Sequence, residues 1–373
     1  MKYNRIIVTG DILRPTESMM PVPVVSSQKG NIRWLHALIR RTLSRATGLP
    51  VEVIQWGDGF DTENFYALNN EEVSIDGWGR LYDCKDLSAD SVFQVAKVFQ
   101  DSLVIGFELP NTIKNILSHV GIIWLDFTVH PIRCLDDLFL GCATNHEGIR
   151  RALMNYEHSF AQHEPNADLL QAMYLREPWP KLPRVDTLFV GQVERDSSVL
   201  LDGKFSNIAT YIPKNPDLAR DVSKWRDILF KPHPVQQYDF GIFDIDIPFR
   251  YINVTNSNIY QLLSMPWLKQ IITVSSSVGV EAKLFGKEVT WLKGPFKKLS
   301  ARGASNDDET YFALREEILW APFWADLLEG LVPVQKISSP RPLIPANAFR
   351  LSLNQAWGYP MAQMAASQQS GNV

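Results

Sequence analysis

The chain has 373 residues, 45% hydrophobic and 21% charged, the balance of a soluble globular protein that is too long for one ordinary core and so predicts two domains. A formal net charge of −4 and a pI near 6.0 argue against a general nucleic-acid binder. No apolar run approaches the roughly 18–20 residues of a membrane span, and the start "MKYNRIIVTGDIL" lacks a secretion-signal cleavage pattern. Three cysteines, Cys84, Cys134 and Cys142, show no metal-ligand spacing, so reduced thiols and a cytoplasmic location are expected.

Strand-length apolar runs alternate with helix-periodic segments, the rhythm of a parallel α/β sheet. "RIIVTGDIL" (5–13) reads as the first strand. In 31–48, Ile32, Leu35, Ile39 and Leu43 fall near one helical face, with Gly48 as a stop. Strand 51–56, helix 91–100, strand 102–110, helix 112–120 and strand 121–131 follow, and 146–177 reads as a long polar-faced helix. "EPWPKLPR" (177–184) carries three prolines and suits a linker. The rhythm then restarts, with strands at 185–193, 227–234, 249–255, 271–277 and 288–292. The expected architecture is α/β, with two Rossmann-like domains facing a central cleft. Residues 1–178 would form the first domain and 185–335 the second. The tail 336–373 would pack back on the first, with a disordered end.

Ligands of such sheets bind at the carboxyl ends of strands, and each unusual stretch sits at one. "FKPHP" places Lys231 and His233 where two prolines exclude regular helix; a cation and an imidazole there can neutralise a departing phosphate. "SSSVGVE" puts Ser275, Ser276 and Ser277 at a helix start, where unpaired amides attract phosphate. Glu281 lies in the first turn, able to accept ribose hydroxyls or simply to cap the helix. "GQVERDSS" offers Glu194 and Asp196 after a strand, as a polar turn or as a nucleophile or base. Two positions apart on extended backbone, they could point the same way. Glu108 in "GFELP" and Asp126 in "WLDFTVHPIRCLDDL" are ionisable groups that need a partner or an open cleft, for a structural or a catalytic role.

The order and spacing of "GQVERDSS", "FKPHP" and "VSSSVGVEAKLFGKEV" resemble the motifs of the capsule-type retaining β-Kdo transferases, and "WLDFTVHPIRCLDDL" is similar to that family's N-terminal half. The resemblance is best over about 105–295; this chain has Ser276-Ser277-Val278 where many capsule enzymes have Ser-Gln. It implies a GT-B-like fold, with 1–178 as the acceptor domain and 185–335 as the CMP-sugar-binding domain, and transfer of Kdo from CMP-β-Kdo to a glycan during capsule, lipopolysaccharide or O-antigen synthesis. It further implies Asp196 as nucleophile, His233 near the CMP phosphate, and Ser275, Ser276, Ser277 and Glu281 at the nucleotide. Lys231 and His233 would stabilise the leaving phosphate, and Glu108 or Asp126 would serve the acceptor hydroxyl. No metal or other cofactor is expected, since CMP-sugars carry one phosphate and "DID" (244–246) sits in a loop-like stretch. The expected partners are CMP-Kdo and an oligosaccharide or lipid-linked acceptor. The chain would work in the cytoplasm, at the inner face of the inner membrane or as a module of a larger polysaccharide enzyme. The alternatives are transfer from CMP-sialic acid, a UDP-sugar or a pyruvyl donor, and a non-catalytic nucleotide- or glycan-binding subunit.

Overall fold

The structure, a computed structural model, describes residues 3–15, 28–222, 227–234, 251–301 and 307–353. The "DID" at 244–246 and the chain end from 354 lie outside the described residues. Strands in chain order are β1 (Arg5–Gly10), β2 (Val51–Val53), β3 (Ser102–Phe107), β4 (Trp124–Val129), β5 (Leu140–Thr144), β6 (Thr187–Val190), β7 (Asp227–Lys231), β8 (Tyr251–Val254), β9 (Gln270–Thr273), β10 (Glu288–Trp291), β11 (Lys298–Leu299) and β12 (Thr310–Leu314). They form a seven-stranded sheet ordered β11-β12-β5-β4-β3-β1-β2 and a five-stranded sheet ordered β8-β7-β6-β9-β10. The protein is therefore mixed α/β.

The second sheet is parallel throughout. In the first, β1 to β4 run parallel, while β5 is antiparallel to both β4 and β12. Both faces of each sheet are covered. Ile6 and Val8 of β1 enter one cluster with Leu35, Ile39 and Leu43, whereas Ile7 enters the opposite cluster with Trp78 and Phe99. Likewise Leu188 and Leu229 face one side of the second sheet and Phe189 and Phe230 the other. This is the period of two meeting helices on both sides, as parallel crossovers require.

Helix α1 (Lys29–Thr47) ends as its sequence predicts: Gly48 adopts φ 71° and its N–H bonds the Ser44 carbonyl. The expected strand 51–56 is instead split, Val51–Val53 staying in the sheet while Gln55–Trp56 pairs with Gly59–Phe60. The expected helix over 146–177 is also broken, into Glu147–Leu153, a 3₁₀ turn at Phe160–His163 and Glu164–Tyr174. The His158 N–H is drawn to the carbonyl of Ala313 on β12, 3.0 Å away, which interrupts the helical ladder.

The chain rejoins the first sheet at Lys298–Leu314, ahead of the expected return at 336. β12 has five residues, all buried, and is seated between β5 and β11. Beyond it, the carboxylate of Asp137 accepts the N–H groups of Phe349 and Arg350 at 3.0 and 2.9 Å. No helix among the described residues is long and apolar enough to cross a membrane.

Candidate active site

The strand order of the second sheet reverses between β6 and β9, so their carboxyl ends diverge and leave a crevice. Gln192 braces that crevice: its Oε1 accepts the Ser275 N–H at 2.7 Å, and its Nε2 donates to the hydroxyls of Ser198 and Ser275 at 3.0 and 3.1 Å. Ser275 in turn donates to the Ser198 carbonyl at 2.6 Å. Its hydroxyl is thus spent on joining two loops, while Ser276 caps the following helix, α2 (Ser277–Leu284), through the N–H of Val278 at 3.3 Å. Gly279 lets this helix lie against Trp291; a Cβ there would come within 2.5 Å of the indole.

A cavity of about 290 Å³ opens at this point, lined by Glu108 and Arg133 from the first-sheet side and by Asp196, His233, Ser276 and Ser277 from the second. Beside it lies a second space of about 590 Å³ that shares Arg133, His233, Ser276 and Ser277 and adds Lys231 and Glu281. Of the eight residues singled out from the three motif stretches, seven line one or both spaces, Ser275 among them with its hydroxyl already engaged, and the eighth, Glu194, lines neither.

Asp196 sits at the start of a 3₁₀ turn, Ser197–Val199, with one carboxylate oxygen accepting the Ser198 N–H at 2.9 Å. Its other oxygen faces the Arg14 guanidinium at 3.8 Å. Glu194 goes elsewhere. A turn at 194–195 breaks the extended backbone, and Glu194 lines a separate surface pocket with Asp76, Arg80 and Lys204.

His233 titrates below its ordinary range, first because it is buried and then because Arg133 and Lys231 repel a proton, with Asp196 opposing. It therefore rests as a neutral imidazole able to donate one N–H. Burial also lowers Lys231. An anion bound here would raise the proton affinity of both.

Glu108 follows β3 directly and has φ 54°, a left-handed backbone that a non-glycine residue holds only under constraint. Its N–H bonds the Phe127 carbonyl at 2.7 Å, and its side chain accepts the Thr128 hydroxyl at 3.1 Å. Burial raises its pKa and Lys297 opposes the rise. Asp126 is different. It is fully buried away from both spaces, accepting the Leu109 N–H at 2.8 Å and the Tyr311 hydroxyl, with the Lys114 ammonium 3.8 Å away. Its geometry is that of a strut between β4, the loop after β3 and β12. Replacing Asp126 with Ala strands these donors, so the variant is expected to lose about 3–5 kcal/mol of stability in chemical denaturation. Its folded fraction should keep its specific activity.

Glu281 is buried too, and one oxygen accepts the backbone N–H of Arg133 at 2.7 Å and the Tyr260 hydroxyl at 3.0 Å. Burial pushes its pKa up, against those hydrogen bonds. The carboxylate therefore fastens the loop after β4 to the second sheet as well as edging the larger space.

Four further residues shape this region: Asp11, Arg14, Gln192 and Lys297. Asp11, just past β1, is buried, with its pKa raised to about 7 by burial. Lys297 lines the smaller cavity and donates to the Tyr311 hydroxyl at 3.1 Å. Trp78 beside Asp11, Asp196 facing Arg14 and Ser275 bonded to Gln192 are distant in sequence, and only the fold brings them together.

No family model matches the chain, and no curated protein sequence matches it. Among solved structures it is similar to Thermosulfurimonas dismutans KpsC, a β-Kdo 2,7 transferase, at 16% sequence identity and a TM-score of 0.36, over 65% of this chain and 81% of that one.

Proposed function

We propose that the protein is a retaining glycosyltransferase that moves Kdo from CMP-β-Kdo to a glycan acceptor. The observation that carries this reading is the meeting of three strand-end motifs, "GQVERDSS", "FKPHP" and "SSSVGVE", around adjoining spaces that an acid from the first sheet, Glu108, also lines. The donor follows from the motif resemblance.

In this reading the CMP phosphate lies by Lys231, His233 and the start of α2, where two groups whose proton affinity burial lowers would meet an anion that raises it again. The Asp196 carboxylate attacks the glycosidic carbon as the bond to the phosphate oxygen breaks, and CMP leaves with that electron pair. The acceptor oxygen then attacks the same carbon from the opposite face. Asp196 departs as carboxylate, and the hydroxyl proton passes to Glu108, whose raised affinity for a proton suits a base. Two inversions give retention.

A thermal-shift panel of CMP, UMP, UDP and GDP tests the donor class, since a ligand stabilises the fold that binds it. CMP is expected to raise Tm most, and a larger shift with UDP or GDP would overturn the donor assignment. In the same panel His233→Ala should weaken the CMP shift and lower turnover about 10²-fold or more, with the apo Tm nearly unchanged. A variant that unfolds yet keeps specific activity would make His233 structural.

A further inference from the structure

The geometry points to Arg14 as a positioning residue for Asp196, holding the carboxylate in place and stabilising its charge as it departs in the second half of the reaction. This rests on the reading of Asp196 as nucleophile.

Arg14 belongs to the loop after β1, at the place where the order of the first sheet reverses between β1 and β3. Its backbone is fixed by Asp11, whose carboxylate accepts the N–H groups of Leu13 and Arg14, both at 3.1 Å. The other oxygen of Asp11 accepts the indole N–H of the fully buried Trp78 at 2.9 Å. That indole is the platform for Arg14, whose guanidinium carbon lies 4.4 Å from the ring centroid. One end of the guanidinium donates to the Arg195 carbonyl at 2.8 Å, and another faces Asp196 at 3.8 Å.

An ion pair between two loose surface side chains contributes little, because ordering both costs as much as the attraction returns. Here the cation is already ordered by the indole below it and the carbonyl beside it, so that cost is met in the fold. Asp196 is held likewise, by the Ser198 N–H on its other oxygen. The two holds come from opposite sheets: Ser198 follows β6, and Arg14 follows β1.

The chemical consequence is specific to one step. When the acceptor oxygen bonds to the glycosidic carbon, the bond from that carbon to the Asp196 oxygen breaks, its electron pair returns to the carboxylate, and the acceptor proton goes to Glu108. Arg14 faces the charge that this step regenerates. In the first step Asp196 loses that charge, and there the same cation gives no assistance.

Arg14→Met therefore should lower kcat roughly tenfold to a hundredfold without raising the donor KM. The fraction of enzyme carrying a Kdo-sized adduct, read by intact-protein mass spectrometry during turnover, should rise several-fold. Arg14→Lys, which keeps the charge but not the planar fork, should recover part of the rate and show a smaller accumulation; it also serves if the Met variant does not fold. Wild-type kcat in Arg14→Met, or a fall in kcat without more adduct, would overturn the assignment. Asp196→Asn, run alongside, separates the two ideas. If it transfers Kdo normally, the nucleophile reading and this one fall together; if it is inactive while Arg14→Met behaves as wild type, only the role of Arg14 falls.

Discussion

Asp196→Asn is expected to abolish transfer, by about 10³-fold or more, while CMP binding measured by calorimetry stays within about twofold. The carboxylate edges the smaller cavity with one oxygen fixed by the Ser198 N–H, whereas Glu194, its neighbour in sequence, lines a different pocket. Glu194→Gln should consequently keep most of the activity. The covalent step can be trapped by slowing the acceptor half of the reaction, and Glu108→Gln removes the expected base for that half. In that background CMP-Kdo should leave a Kdo-sized adduct that peptide mapping places on Asp196. An active Asp196→Ala enzyme, or an adduct on another side chain, would remove the assignment.

The second large effect concerns stability. Glu281→Ala removes the acceptor of two donors, the Arg133 N–H and the Tyr260 hydroxyl, in a place without solvent. Each stranded donor costs about 1–3 kcal/mol, so a loss of about 2–6 kcal/mol is expected in urea denaturation. Glu281→Gln keeps an acceptor oxygen and should lose much less. Nucleotide affinity of the Ala variant has to be measured on folded protein, because the side chain both edges the ligand space and fastens a loop. An Ala variant as stable as the parent, with CMP affinity reduced, would return Glu281 to a purely ribose-binding role.

Much of the layering is legible in the residues. α1 could be read because its apolar positions recur at helical spacing and end at a glycine whose backbone is left-handed. The strands at 102–107 and 187–190 stand out as continuous apolar runs, since both sheet faces are covered. β5 and β12 are not legible in this way. "LGCAT" and "TYFAL" are short, and what makes them strands is an antiparallel pairing across a long stretch of sequence. The same holds at the site. "KPHP" and "SSSVGVE" announce themselves through prolines and serines at strand ends. That Asp126 braces Tyr311, or that Arg14 meets Asp196, depends on contacts no local pattern encodes. Positions 194 and 196, which extended backbone would let point the same way, are separated for a local reason, the turn at 194–195.

The pairing of β5 with β12 has a consequence for how such a chain can be cut and recombined. These two strands are neighbours in the first sheet, yet the whole five-stranded sheet is spelled out between them. In topological terms the segment that carries "KPHP" and "SSSVGVE" is an insert, leaving its host after β5 and returning to it through β11 and then β12, the neighbour of β5. Severing the chain in the proline-rich stretch at 177–184 would not release two self-sufficient halves. The leading fragment would lack β11 and β12, expose the edge of β5 as an unpaired template, and deprive Asp126 of Tyr311. Moving this insert between proteins of this design therefore requires exchanging it at both of its ends, as a cassette, and leaving β11 and β12 with the host.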